Sequence, residues 1–527
     1  MPKNKVAVNT TANLASRAWT MVANYLFVPI YISILGEEAY GLITFFATLQ
    51  TALNLLGLGL SKTLRREFAA DASSGKDSLY KYQILRTVET IYFFISIVIV
   101  LICFFGAAYI SEQYLQIEHL PLSTVIRTVR LMGCSIAAQL LANLYLGCLF
   151  GQQRQVLADC IQILWSVIKN VGVVAVVMYV STSVSAFYVW HVLIDLAYLV
   201  ALREIVVSGL RKETKNLFWT LKDMKNIREI WRIALGVMII SVGYAINTQA
   251  DKLIISGSFQ MKTVGAYNSA YNLGLAASVF VAAMGIAVFP KFTNYYTAQK
   301  KDELMQEYIR SNKIANAVTI SVGVFVAFFS YDLLYLWTGS SAIAKTMQIA
   351  AVPLILGTTL NALQEIPYNY YLAHGITVVN NIMTACSIIY VIAVTPLMIR
   401  SFGLLGASLS WFIQMLVFTA VYLTLFYIRF FRGSFFKRMV IETILPIMIT
   451  CAFAYLVRTG IKLLTDRTVL IVMTAIAAGA VNLIVLANLF CRTEIKKLLH
   501  KNEAQDCFYR LPADDPEVQE KEKRECV

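Results

Sequence analysis

Charge is scarce in this chain: Asp, Glu, Lys and Arg make up 14% of its 527 residues, against about 25% in soluble domains. Histidine is scarcer still, with four residues, and the nine cysteines include no Cys-x-x-Cys pair. A metal site and a disulfide framework are therefore not expected. Cys103, Cys134, Cys148, Cys160, Cys386 and Cys451 read as small apolar packing residues inside hydrophobic runs. No internal gap between those runs exceeds about 30 residues, which leaves no room for a soluble catalytic domain. An ATP-driven pump would need a phosphate loop. The nearest string, Gly339 to Thr346 (GSSAIAKT), lacks the second glycine and falls in a short gap, not after a strand. Neither an enzyme nor a cofactor is expected. The N-terminus shows no short apolar stretch followed by a small-residue cleavage site, so no cleavable signal peptide is expected either.

What the chain has is apolar length. Hydrophobic residues make up 58%, gathered in fourteen runs near 12–35, 39–60, 87–109, 123–149, 158–180, 184–207, 232–256, 264–290, 314–337, 347–373, 377–399, 404–428, 439–457 and 468–490. A bilayer core of ~30 Å takes about 20 helical residues to cross, and only helices or closed barrels satisfy their backbone there. These runs are too long and continuous for alternating barrel strands. The expected fold class is an all-α polytopic membrane protein with about 14 transmembrane helices.

Of the 45 Lys and Arg, about 32 lie in the termini and the even-numbered gaps, which by the positive-inside rule places both termini in the cytoplasm. The first three odd gaps, reading GEEA, SEQYLQIEHL and STSVS, carry no Lys or Arg. The net charge of +14 is thus a topology signal, with attraction to anionic lipid headgroups, and no nucleic-acid partner is implied.

A weak repeat runs through the chain. Ala39-Tyr40-Gly41 stands near the start of the second run, which ends before Arg65-Arg66; Gly265-Ala266-Tyr267 stands near the start of the eighth, which ends at Pro290 before Lys291. Both landmarks are offset by about 226 residues, and six helices separate them, so the repeats are parallel. The expected organisation is two pseudo-symmetric six-helix lobes plus two C-terminal helices: an N-lobe at 1–207, a basic cytoplasmic linker with a short interfacial helix at 208–231, a C-lobe at 232–428, helices 13 and 14 at 429–491, and a charged cytoplasmic tail at 492–527.

Polar residues inside the runs are the candidate site. Each charge at bilayer depth costs at least about 2.5 kcal/mol, so such groups face protein or water. At 100° per residue, Asn13, Arg17 and Asn24 share a narrow stripe in the first run, and Asp159, Gln162, Ser166 and Lys169 share one in the fifth. The seventh adds Ser241, Tyr244, Thr248, Asp251 and Lys252, the eighth Asn268, Tyr271 and Asn272, and the tenth Thr358, Asn361, Gln364, Glu365, Tyr368 and Asn369. For any one residue, helix-to-helix hydrogen bonding is an equal alternative, and Lys252 could snorkel to the interface. Stripes in both lobes favour a shared water-filled pathway, and cations such as Arg17 and Lys169 suit a phosphate-bearing cargo. Pro29, Pro290, Pro353, Pro367 and Pro396 kink or weaken their helices.

The segment from Asn13 to Ala69 resembles the opening of bacterial polysaccharide flippases, with an Arg in the first helix, "LG..AYG" before the second and "LGLG" leading to a basic end. LYLGCLFGQQRQ at 144–155 is similar to that family's "G.QR" turn. QADKLIIS at 249–256, VGAYNSAYNLG at 264–274, AVFPKFT at 287–293, LYLWTG at 334–339 and NALQEIPYNYYLAHG at 361–375 also fit. The resemblance covers roughly residues 10–430 and is to the Wzx-type O-antigen or polysaccharide flippases of the multidrug/oligosaccharidyl-lipid/polysaccharide exporter superfamily.

That resemblance implies movement of an undecaprenyl-diphosphate-linked oligosaccharide from the cytoplasmic to the periplasmic leaflet of the bacterial inner membrane. It implies alternating access of two lobes around a cationic cavity, an H+ or Na+ coupling ion, and glycosyltransferases and a polysaccharide polymerase as partner candidates. Arg17 matches the first-helix cation, and Asp251 matches the acidic position of the seventh helix. The substrate-binding set is then Arg17, Asn13, Asn24, Lys169, Asn268, Tyr271, Asn272, Asn361 and Gln364, with Asp251 and Glu365 as ion-coupling candidates; Lys169 and Glu365 rest on the stripes alone. A drug/cation antiporter, which Asp195 in the sixth run keeps open, and a membrane glycan polymerase or ligase are the alternatives.

Overall fold

The computed structural model describes residues 3–69, 78–213, 227–432 and 435–490. The linker expected at 208–231 falls largely outside the described residues, and the tail at 492–527 wholly so. Every expected run lands on helix. In chain order these are α1 (Lys3–Leu35), α2 (Glu37–Ala69), α3 (Ser78–Tyr109), α4 (Leu122–Gly151), α5 (Gln155–Tyr179), α6 (Val184–Glu213), α7 (Ile227–Ser258), α8 (Met261–Thr297), α9 (Lys301–Phe328), α10 (Ser330–Thr338), α11 (Ser341–Thr346), α12 (Ala351–Ala362), α13 (Glu365–Ala373), α14 (Val378–Phe430), α15 (Phe435–Met439), α16 (Leu445–Leu464) and α17 (Thr468–Phe490). One π turn, Ile110–Tyr114, ends α3 and another, Val440–Ile444, joins α15 to α16. Among the described residues, eight helices are long and apolar enough to cross a bilayer. One of them is the 53-residue α14, in which Gly403 at φ 61° separates two helical stretches. Glycine tolerates that backbone conformation, and the break falls in the gap expected between 399 and 404.

Two expected runs are broken. The run at 314–337 divides at Phe329 between α9 and α10, where Arg458 pairs with Asp332 in the first turn of α10. The run at 347–373 divides at Leu363 and Gln364, between α12 and α13. Pro367 accounts for the second break: it lacks an N–H, and its ring would meet the carbonyl of residue 363 in a continuous helix. Thr419 satisfies the end of α12 by donating to the Leu360 carbonyl at 3.1 Å.

The chain forms two compact units. The first joins residues 1–269 with 334–347 and 384–410. Its centre is α4, packed on α2, α3 and α6 and lined with Gly133, Ser135, Ala137, Ala138, Ala142 and Gly147. Small residues let helix backbones approach where lipid supplies no hydrophobic drive. Gly147 lies against Ser61 of α2, and Gly151 against the Arg65 carbonyl. Helix α3 turns the other way: Phe93, Phe94, Val98, Ile102 and Phe105 are exposed, a surface suited to hydrocarbon.

The second unit holds residues 270–333, 348–383 and 411–527. Its core is aromatic, with Phe292, Tyr308, Tyr370, Tyr371, Phe426 and Tyr427 in one cluster. The π turn that precedes α16 docks on α9 through the buried Glu442. That carboxylate accepts from Asn312 Nδ2 at 3.0 Å, Tyr427 OH at 3.1 Å and Arg438 Nη1 at 2.7 Å.

Candidate functional site

The stripe on α5 faces the interior of the first unit. Ser166 Oγ accepts from Trp19 Nε1 of α1 at 3.1 Å, and Tyr31 OH donates to Asn170 Oδ1 at 3.0 Å. Lys169 is buried, and its ammonium donates to both carboxylate oxygens of Asp195 on α6, at 2.9 and 3.0 Å. Asp195 is completely buried and also accepts from Trp165 Nε1 at 3.0 Å, Gln139 Nε2 at 2.8 Å and Ser135 Oγ. Gln139 in turn accepts from Gln50 of α2. The network thus ties α2, α4, α5 and α6 together around one neutralised charge pair. His191, one turn before Asp195 on α6, is buried with its ring 4.3 Å from that of Phe187.

Asp195 and its three uncharged donors are absent from the candidate set drawn from sequence. The signal existed, since Asp195 is the one acid deep in the sixth run, but its pairing depends on the rotation of two adjacent helices. As placed, Lys169 is a member of this network and its charge is balanced by Asp195.

Asp251 and Asn268 also lie in the first unit. Both are buried; Asp251 Oδ2 accepts from Tyr267 OH at 2.9 Å, and Asn268 Nδ2 donates to the Val264 carbonyl at 3.1 Å. Lys252 is buried beside Asp251 and donates to the Thr248 carbonyl at 3.4 Å, so it does not snorkel. The remaining candidates belong to the second unit. Gln364 donates to Thr419 Oγ1 at 2.8 Å, and Glu365 Oε1 accepts from Asn369 Nδ2 at 3.0 Å. Gly285 of α8 lies directly against these Glu365 and Asn369 side chains. The Tyr271 ring is 6.3 Å from that of Trp411, Asn272 is half-buried, and Asn361 is exposed. The Asn13, Arg17 and Asn24 side chains, on α1, lie outside the described residues.

The connections at one end of the first unit are polar and tightly tied. Glu118, between α3 and α4, accepts from Lys262 Nζ at 2.9 Å and from Gln260 Nε2. The Lys262 hydrogen bond leads in holding the Glu118 carboxyl below its ordinary value of 4.5. A lowered folded value means that the contact stabilises the protein above pH 4.5 and is lost as pH falls through the lower value. Glu118→Gln should therefore lower the melting temperature at neutral pH, and the gap from wild type should close on acidification below pH 4.5. Melting curves of the two proteins across that range check this.

Comparison with known proteins decides the family. The family described as "Polysaccharide biosynthesis protein" matches residues 6–296, more than half of the chain. The chain belongs to this family. A Shigella flexneri protein named as an O-antigen transporter is similar to the family member described here, with 23% identity over 408 residues, 73% of this chain and 88% of the relative. A Haloferax volcanii protein named as the low-salt glycan biosynthesis flippase Agl15 is 23% identical over 211 residues, 38% of this chain and 42% of its own length. Among solved structures, the lipid II flippase MurJ in an inward closed conformation matches with a TM-score of 0.68 and 14% identity, over 93% of this chain and all of that one. An inward-facing multidrug resistance MATE transporter matches with a TM-score of 0.65 and 16% identity, over 79% and 96%. These likenesses establish the fold. The named relatives are transporters and flippases, and this family member, with eight helices long and apolar enough to cross a bilayer among the described residues, is a multi-pass membrane protein.

Proposed function

We propose that this protein flips a lipid-linked oligosaccharide, carried on undecaprenyl diphosphate, from the cytoplasmic to the periplasmic leaflet during surface polysaccharide synthesis. The observation that carries the reading is family membership across residues 6–296, joined to a relative named for O-antigen transport that aligns along 88% of its length. Physical chemistry supports it. A diphosphate and a glycan cannot cross hydrocarbon unaided, because stripping water from them is prohibitive. A bundle carrying amides, tyrosines and cations inside can replace that water while the prenyl tail stays in lipid, and no bond need be made or broken.

In this reading fourteen helices cross the inner membrane with both termini in the cytoplasm. Two lobes alternate access, and an H+ or Na+ gradient drives the cycle. Arg17, Asn13, Asn24, Lys169, Asn268, Tyr271, Asn272, Asn361 and Gln364 are the cargo-contact candidates, and Asp251 and Glu365 the ion-coupling ones. Glycosyltransferases supply the cargo and a polysaccharide polymerase consumes it.

The test is leaflet-resolved accumulation of the polyprenyl-diphosphate oligosaccharide in cells with and without the protein. Loss of the protein should strand the glycolipid on the cytoplasmic leaflet, and wild type should restore surface glycan. Equal arrival at the outer leaflet without it, in cells lacking any other flippase, would sink the reading. Arg17→Ala should cut export at least tenfold at unchanged membrane abundance, read by surface-glycan staining; full export would remove Arg17 from the set.

A further inference from the structure

The two exterior turns that open the repeats are each held by a connection from the opposite half of the sequence. The turn between α7 and α8 receives the connection from α3 to α4. Met261 N donates to the Gln116 carbonyl at 3.1 Å, Gln116 and Gln260 form a single parallel bridge, and Glu118 accepts from Gln260 and Lys262. Just before it, Tyr114 OH donates to the Leu253 carbonyl at 2.5 Å. The turn between α1 and α2 receives the connection from α10 to α11. Ser340 Oγ donates to Glu37, and Trp337 Nε1 donates to the Tyr25 carbonyl at 2.8 Å, with the two rings 5.2 Å apart. All of these residues lie within the first compact unit.

The two contacts join corresponding connections of the repeat through different residues. The repeat offset of about 226 residues carries Glu37 onto the turn beside Lys262 and Tyr114 onto Ser340. Between the contacts the repeat landmarks themselves cross. Gly265 lies against the Tyr40 ring and the Gly41 backbone, and Gly41 lies against the Met261 carbonyl with no room for a Cβ. Ser269 Oγ donates to Tyr40 OH at 3.4 Å across the crossing. By the distribution of Lys and Arg, all four connections are exterior.

We propose that the Glu118–Lys262–Gln260 contact and the Glu37–Ser340 contact, with Trp337 on Tyr25, are the two arms of one reciprocal exterior clasp that must open together to release cargo outside. The inference rests on the flippase reading for its cargo but not for its geometry. Simultaneous opening follows from the pivot and from Glu38: the α2 and α8 starts touch between the arms, and the Glu38 carboxylate of the α1–α2 turn accepts from Glu118 N at 2.5 Å, His119 N at 3.0 Å and Leu120 N at 3.1 Å, so the α3–α4 connection holds both turns at once.

The test reads geometry, so it remains informative if the cargo assignment fails. Ser340→Cys is introduced alone and with Glu118→Ala, and intact cells are treated with a membrane-impermeant maleimide, the parent protein giving the background from natural cysteines. Opening the first arm should raise labelling of the second several-fold, although the Glu118 side chain touches neither Ser340 nor Glu37 and its backbone bond to Glu38 is kept in Glu118→Ala. Unchanged labelling at equal abundance would overturn the reciprocal clasp. In a second experiment, Glu118→Cys/Lys262→Cys is cross-linked by a membrane-impermeant bifunctional thiol reagent that a reductant cleaves. Cross-linking should abolish outer-leaflet delivery, and cleavage should restore it; delivery that continues through the cross-linked protein would overturn the clasp and leave the flippase reading intact.

Discussion

Asp195→Ala should destabilise the protein by about 3–5 kcal/mol, the cost of removing one partner from a buried ion pair. Against net stabilities of about 5–15 kcal/mol, that is enough to deplete it from the membrane. The charge left behind is the buried Lys169 ammonium, whose ion pair with Asp195 is gone. Trp165, Gln139 and Ser135 lose their acceptor at the same time. Lys169→Met combined with Asp195→Asn removes both charges while keeping an amide oxygen for Trp165, and neutral replacement of a buried pair is often harmless. The double variant should therefore recover most of the abundance and melting temperature that Asp195→Ala loses, as read by fluorescence-detected size exclusion after stepped heating. It also isolates the role of the lysine. Export lost at normal abundance assigns the ammonium to cargo; export kept assigns it to holding α5 on α6.

Gly41→Leu should be as damaging by a different route. A Cβ at this position would lie inside the van der Waals envelope of the Met261 carbonyl oxygen, a backbone atom that no rotamer change can move. Helices α2 and α8 would have to part where they cross, taking Tyr40 away from Gly265 and Ser269. Close backbone approach between small residues is a main source of helix association in lipid, so the expected result is a loss of export of at least tenfold with lowered thermal stability. Gly36→Ala, where a Cβ meets nothing within 4 Å but φ is +86°, should cost only local strain of order 1–3 kcal/mol and leave the crossing in place. Comparing export for the two variants at matched abundance separates steric parting of the helices from a general intolerance of this turn; equal losses would refute the crossing as the cause.

The helices were legible because the bilayer permits few alternatives: long apolar runs with basic gaps have one economical reading. The break before Pro367 was legible in principle, since the proline names the carbonyl it displaces, whereas the division at Phe329, beside which Arg458 reaches Asp332 over 126 residues, carries no such local mark. The α5 stripe lies on a face turned into the first unit, with Lys169 buried and Ser166 bonded to Trp19. Periodicity fixes a face relative to its own helix and nothing else, so it did not identify Asp195 as the partner of Lys169. The same limit applied to the repeat: matching landmarks were visible as strings, but that the two copies touch is a property of the folded chain.

That contact has an evolutionary consequence. When an ancestral half is doubled, most positions of the copies are released from one another and drift separately. Ala39-Tyr40-Gly41 and Gly265-Ala266-Tyr267 are expected not to be released, because Gly265 rests on Tyr40 and Gly41. Bulk gained by one copy has to be surrendered by its twin, so relatives of this chain should vary at these two triplets in matched pairs or hardly at all.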